Sequence, residues 1–191
     1  LTFLHEHGCA WCAQTCYYSV MSDSLECLTY AHTHGCPWDG STCAAAARKK
    51  DLTFLRFAHE RGCPWDAMTC RNAASVMNLI CLKFAHERGC PWDSKACSAA
   101  AYYGKMSVLV YLCTNGCPWV ASTCSEAAAN GQLMCLQFAR LNGCPWDENT
   151  CINAARHSLE CLRYAHLNGC PWNSSVVEVA CACGAFDCLK Y

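Results

Sequence analysis

Histidine and cysteine recur at a spacing that could bind a metal ion. In successive segments of the chain a histidine stands four residues before one cysteine, and a second cysteine follows seven residues after the first. Zinc accepts both residue types as ligands of a tetrahedral site. In one segment the histidine position holds Cys113, an exchange that a zinc site would tolerate. The candidate metal ligands are His32, Cys36 and Cys43, then His59, Cys63 and Cys70, then His86, Cys90 and Cys97.

A fourth ligand is harder to place, and this favours a second interpretation of the cysteines. A further cysteine, such as Cys81, stands five residues before the next histidine on the same predicted helix, which separates the two by roughly 140° and about 7.5 Å of rise. Free cysteine is among the most buried residue types and packs as a small apolar group. Phe54, Val108 and Val177 replace cysteine in three registers. We therefore predict buried thiols and no cofactor, with zinc ligation and structural disulfides as alternatives.

These residues belong to a sequence repeat. The tripeptide Cys-Pro-Trp recurs six times at intervals of 26 or 27 residues, after a degenerate copy at Cys9-Ala10-Trp11. All six prolines and all seven tryptophans of the chain lie in this motif. A fixed period of this length is the signature of a repeat architecture.

Each repeat predicts two helices. Aspartates such as Asp66 follow Pro-Trp, where a carboxylate can cap a helix N-terminus. The second helix carries leucine and an aromatic residue at helical spacing and is predicted to end at a glycine such as Gly62, with proline two residues later. One helix pair cannot bury its own apolar face, but stacked neighbours can. The predicted fold is an all-α solenoid of about seven stacked helix-turn-helix repeats in one domain, residues 1–191.

The repeats resemble those of the ankyrin-repeat family. The segment from Gln132 to Cys144 is similar to the second helix and following Asn-Gly-Ala of an ankyrin repeat, and Thr-Cys-x-x-Ala-Ala resembles Thr-Pro-Leu-His-x-Ala-Ala. The short Gly-Cys-Pro-Trp-Asp form is similar to repeats of giant viruses and protists. This resemblance implies an intracellular, cytoplasmic scaffold of viral or eukaryotic origin that binds other proteins without catalysis. Both ends fall within a repeat, so we expect further repeats beyond them.

Composition and motifs argue against several function classes. The net charge is −1 and the sequence pI is about 6.7, so we expect no general attraction to nucleic acid. No segment predicts a membrane-spanning helix. Neither a Gly-rich phosphate loop nor a metalloprotease or nucleophile-elbow motif is present. The chain is therefore predicted not to be an enzyme.

Variable positions on the first helices are the predicted partner-binding residues. They differ between repeats while the apolar positions stay constant, as expected of a binding surface on a fixed frame. They are Arg48, Lys49, Arg71, Asn72, Tyr102, Tyr103, Glu126 and Asn153. The predicted function is a protein-interaction scaffold; a zinc-binding Cys/His array and a structural spacer in a large assembly are the alternatives. The tryptophans are predicted to form a structural ladder, with a recognition stripe as the alternative.

Overall fold

The computed structural model describes residues 1–191 and contains fifteen α-helices and no strand. It divides into two compact units, Leu1–Trp92 and Asp93–Tyr191. The predicted all-α class is confirmed. The first unit contains α1 (Thr2–Glu6), α2 (Ala13–Met21), α3 (Leu25–Thr33), α4 (Gly40–Ala46), α5 (Thr53–Glu60), α6 (Ala67–Ser75) and α7 (Leu79–Glu87). The second contains α8 (Ser94–Tyr102), α9 (Met106–Thr114), α10 (Ala121–Ala129), α11 (Leu133–Leu141), α12 (Glu148–His157), α13 (Leu159–Leu167), α14 (Ser174–Ala182) and α15 (Phe186–Lys190).

Both units are built from helix pairs that stack in chain order. In the first unit α2 packs on α4 and α4 packs on α6, and each of these first helices also packs on the second helix that follows it. The second unit repeats the arrangement, with α8, α10, α12 and α14 stacked in one row and α9, α11, α13 and α15 in another. The predicted stacking of short helix pairs is therefore confirmed within each unit.

Each core is assembled from the same positions of successive repeats. The first helices bury small residues such as Ala73 and Ala74, which lets a neighbouring helix approach closely. The second helices α3, α5, α7, α11 and α13 bury one leucine each and α9 buries two; Leu55 and Leu136, for example, are fully inaccessible to solvent. A leucine buried in this way contributes on the order of 2 kcal/mol from apolar area alone. None of the helices is both long and apolar enough to cross a lipid bilayer.

The predicted helix boundaries follow local chemistry. The Asp66 carboxylate accepts a hydrogen bond from the Met68 N–H at 2.9 Å, and the aspartates before α4, α8 and α12 do the same for their helices. Gly62 ends α5 at a φ of +79°, a conformation that costs glycine little. Met77, between α6 and α7, adopts a similar φ of +62°, which is unfavourable for a residue that has a side chain.

Candidate functional site

The cysteine that opens each Cys-Pro-Trp motif bonds to the preceding repeat. The Sγ of Cys63 lies 3.3 Å from the carbonyl oxygen of Asp39, and that of Cys90 lies 3.4 Å from the carbonyl of Asp66. In the second unit Cys170 Sγ lies 3.2 Å from the Asp147 carbonyl. In each case the acceptor is the residue that caps the first helix of the repeat before. These thiols therefore tie one repeat to its neighbour.

The cysteine seven residues after the motif also faces a neighbouring repeat. Cys43 is fully buried, and its Sγ lies 3.8 Å from the carbonyl oxygen of Cys63 in the repeat that follows. The neighbouring Cys63 thiol and burial raise the pKa of Cys43. Burial and the Cys36 thiol likewise raise the pKa of Cys16 to about 12. The two cysteines that the sequence groups within one repeat are thus divided between different interfaces.

The histidines of the predicted metal sets pack against tryptophan. The rings of His32 and Trp38 are stacked at a centroid distance of 4.1 Å, and those of His59 and Trp65 at 3.8 Å. The same stack joins His86 to the tryptophan of its motif at 3.8 Å. Each pair lies six residues apart in one repeat, at the end of a second helix and the loop that follows it. These contacts pack three tryptophans against the histidines of their own repeats.

As placed, the candidate ligands do not fit a tetrahedral zinc site. No three side chains of His, Cys, Asp or Glu lie together in an arrangement that could hold a metal ion. Zinc binds the thiolate form of cysteine, and the raised pKa of Cys43 opposes ionisation of its thiol. Zinc ligation therefore stays an alternative to buried thiols, which metal analysis of the native protein would test.

Three of the predicted partner-binding residues lie half-buried on the first helices. The Asn72 side-chain amide donates to the Ala44 carbonyl at 2.9 Å, and that of Asn153 donates to the Ser125 carbonyl at 3.3 Å. Both bonds join one first helix to the preceding one. Arg71 precedes Asn72 on α6 and is half-buried. The two asparagines hold the frame together, a role that their variation in sequence did not indicate.

Three other predicted residues come together in the second unit. The Tyr102 and Tyr103 rings meet edge to face at a centroid distance of 5.0 Å, and Tyr103 is half-exposed. Glu126 on the next first helix lies beside them. We call this depression of about 240 Å³ the tyrosine hollow; it is lined by Ser98, Ala99, Tyr102, Tyr103 and Glu126. Ser98, one of the lining residues, hydrogen bonds through its Oγ to the hydroxyl of Ser122 on α10 at 3.0 Å.

Arg48 and Lys49 line a different depression, in the first unit. We call it the basic hollow; it has a volume of about 330 Å³ and is lined by Arg48, Lys49, Lys50, Val76, Met77, Asn78, Leu79 and Ile80. Lys49 is tied down by the Asp23 carboxylate at 2.9 Å and the Met21 carbonyl at 2.9 Å. Arg48 and Lys50 are exposed to solvent. The sequence prediction named Arg48 and Lys49 but not the apolar side chains that line this hollow with them.

Comparison with known proteins gives a fold-level likeness only. No protein-family model and no curated protein matches the chain. Among solved structures, the chain is similar to the pentatricopeptide repeat protein PPR10 in complex with an 18-nt psaJ RNA element, and to a variant of that protein with three cysteines replaced by serine, also in complex with that element. In both comparisons the identity is 15%, the TM-score is 0.37, and the match covers 99% of this chain but 39% of the other.

One prediction is corrected. The exclusion of nucleic acid from the partners is withdrawn: the two solved structures to which the chain is similar are those of repeat proteins in complex with RNA, which is a property of those proteins. The exclusion was drawn from a net charge of −1, which averages over the whole chain. The net charge does not report local clusters of cations such as Arg48 and Lys50, so it does not decide what one face of the molecule binds.

Proposed function

We propose that this chain is a non-catalytic, intracellular scaffold of ankyrin-like repeats whose partners are other proteins. The observation that supports this is that one set of side chains holds the repeats together while another set remains accessible to solvent. Motif cysteines, small first-helix residues and the two asparagines are used in burial or in bonds between repeats. Side chains at the ends of the first helices and in the connections after them remain accessible and differ between repeats.

The accessible side chains form concave surfaces of differing chemistry. The tyrosine hollow combines two aromatic rings with the Glu126 carboxylate, whereas the basic hollow combines cations with apolar side chains. Aromatic residues and arginine are enriched where proteins bind proteins. A constant frame with locally different hollows is suited to recognising a partner at several points.

A peptide-display selection against the folded chain tests this proposal. We expect enriched peptides to bind the wild-type chain and to lose affinity when either hollow is altered, by Tyr103→Ala in one variant and Arg48→Glu in another. Met134→Ala is the control, because Met134 is exposed on α11 and lines neither hollow. Peptides that bind all variants equally would contradict the proposal.

A second arm of the same experiment addresses nucleic acid. A labelled pool of single-stranded RNA is titrated into the chain at 50 and 200 mM salt. If RNA binds more tightly than any selected peptide, with affinity that falls steeply as salt rises, the partner class in the proposal is replaced. Zinc added to either arm would leave binding unchanged if the cysteines are core thiols.

A further inference from the structure

The connection between α4 and α5 differs from the other connections inside a helix pair. It spans residues 47–52, whereas α6 and α7 are joined by 76–78 and α8 and α9 by 103–105. It is longer because α4 ends early, at Ala46. The run Arg48-Lys49-Lys50 therefore lies in a loop instead of continuing a helix.

This loop is held in place by the next helix pair. The Asn78 side-chain amide donates to the Ala47 carbonyl at 3.4 Å and also to the Lys49 carbonyl. The Cys81 Sγ lies 3.4 Å from the carbonyl oxygen of Asp51. Asn78 is itself buried, and its Oδ1 accepts the Cys81 N–H at 3.0 Å. A binding loop fixed before the partner arrives loses less conformational entropy on binding.

Exposed apolar side chains line the same hollow as this loop. Ile80 is 61% exposed and Met77 is 55% exposed, and both line the basic hollow with Val76. Met77 also occupies the left-handed region at a φ of +62°, where a side chain is strained. Contiguous exposed apolar side chains mark surfaces that bind partners.

The charges beside these side chains are cationic and partly unengaged. Lys49 forms an ion pair with Asp23, and the Asp51 carboxylate accepts a hydrogen bond from the Thr53 N–H at 2.9 Å. Arg48 and Lys50 are exposed and form no ion pair. Nucleic acid would find no aromatic ring for base stacking among the residues that line this hollow.

We propose that the basic hollow docks an acidic, amphipathic peptide segment, whose apolar side chains contact Ile80 and Met77 while its carboxylates pair with Arg48 and Lys50. This assignment rests on the proposed scaffold function and names the partner chemistry for one of its surfaces. Both contributions are required, because ion pairs between exposed side chains alone stabilise a complex little.

Three fluorescein-labelled probe peptides of equal length test the assignment by fluorescence polarisation. The first alternates leucine and glutamate, the second replaces every leucine with serine, and the third replaces every glutamate with lysine. We expect measurable binding of the first probe only, weakened at high salt. Equal binding of the acidic probe without leucine would overturn the apolar contribution, and equal binding of the lysine probe would overturn the charge assignment.

Matched variants localise the binding. Ile80→Ser and Arg48→Glu should each weaken the first probe at least tenfold. Met134→Ser and Arg156→Glu are the controls, since they occupy the same repeat positions as Ile80 and Arg48 in other repeats. Far-UV circular dichroism confirms that each variant is folded. An equal loss of affinity for the first probe in variants and controls would overturn the assignment. Binding of poly(U) RNA at this hollow with higher affinity than the probe would overturn it too. Peptides selected at the tyrosine hollow would in either case still support the scaffold function.

Discussion

Replacing Cys63 with alanine separates a structural thiol from a metal ligand. Cys63 is 4% exposed, and its Sγ lies 3.3 Å from the Asp39 carbonyl. A thiol is a weak donor, so losing this hydrogen bond should cost about 0.5–1 kcal/mol. Removing a buried sulfur should cost roughly another 1 kcal/mol, by analogy with a buried methylene. The Asp39 carbonyl still accepts the Thr42 N–H at 3.0 Å, so it is not left without a partner.

We therefore expect Cys63→Ala to lower the free energy of unfolding by about 1.5–2 kcal/mol. Cys9→Ala is the matched control, because Cys9 holds the same position in the first repeat, is exposed, and forms no such bond. It should change the free energy by no more than about 0.5 kcal/mol. Urea unfolding under reducing conditions, followed by far-UV circular dichroism, measures both values from the midpoint and slope.

Two results would refute this reasoning. If Cys63→Ala costs no more than Cys9→Ala, the thiol-to-carbonyl bond and burial do not stabilise the interface. If a chelator lowers the stability of the wild-type chain to that of Cys63→Ala, the cysteine is a metal ligand and the array is stabilised by metal. Cys63→Ser sharpens the distinction, since a hydroxyl can still donate to the Asp39 carbonyl but is a poor substitute for a zinc-binding thiolate.

Three further predictions concern the turns, the histidines and the thiols. Met77→Gly should raise the free energy of unfolding by about 0.5–1 kcal/mol by relieving its positive φ, whereas Met68→Gly on α6 should lower it by a similar amount, as urea unfolding would show. Burial lowers the pKa of His59 below its unfolded value of about 6.5. The neutral side chain therefore stabilises the fold above that pH, and this stabilisation is lost as pH falls through the pKa of the folded state. His59→Gln should flatten the decline in Tm from pH 7 to 5. A thiol reagent should modify the four exposed cysteines quickly and the three half-exposed ones more slowly, and should reach the fifteen buried ones only after unfolding.

Features fixed by local chemistry could be predicted from the sequence. The aspartate caps, exemplified by Asp66, need only a carboxylate two residues before a free backbone N–H. The C-terminal ends of the second helices, such as that of α5 at Gly62, need only a residue that tolerates positive φ. Both requirements are met within a few residues of chain, so the helix pairs and their stacking follow from the pattern of one repeat.

The partners of the motif residues could not be predicted in the same way. In a periodic chain, a spacing inside one repeat and a spacing to the next repeat are equally regular, so the pattern does not say which cysteines meet. Cys63 contacts the cap of the repeat before it, and Cys43 contacts the repeat after it. One signal was present in the sequence. Arg140 replaces histidine in one repeat, and its guanidinium lies 4.5 Å from the centre of the Trp146 ring. A planar cation can replace a stacked imidazole, but arginine is a poor zinc ligand.

The loop at residues 47–52 shows why the binding surface is the least predictable part of such a chain. The stacking positions are constrained from both sides, by the repeat before and the repeat after, and they therefore keep their residue types. The segment after a first helix is held at fewer points, as by Asn78 and Cys81 of the next repeat at residues 47–52. At that point one repeat has Gly104 and forms a tight turn, whereas another has Lys50 and forms a longer, pinned loop. Surface chemistry can change there without altering the core. Exchanging segment 47–52 for the corresponding 101–106 should therefore leave the chain folded while abolishing binding of the leucine-glutamate probe.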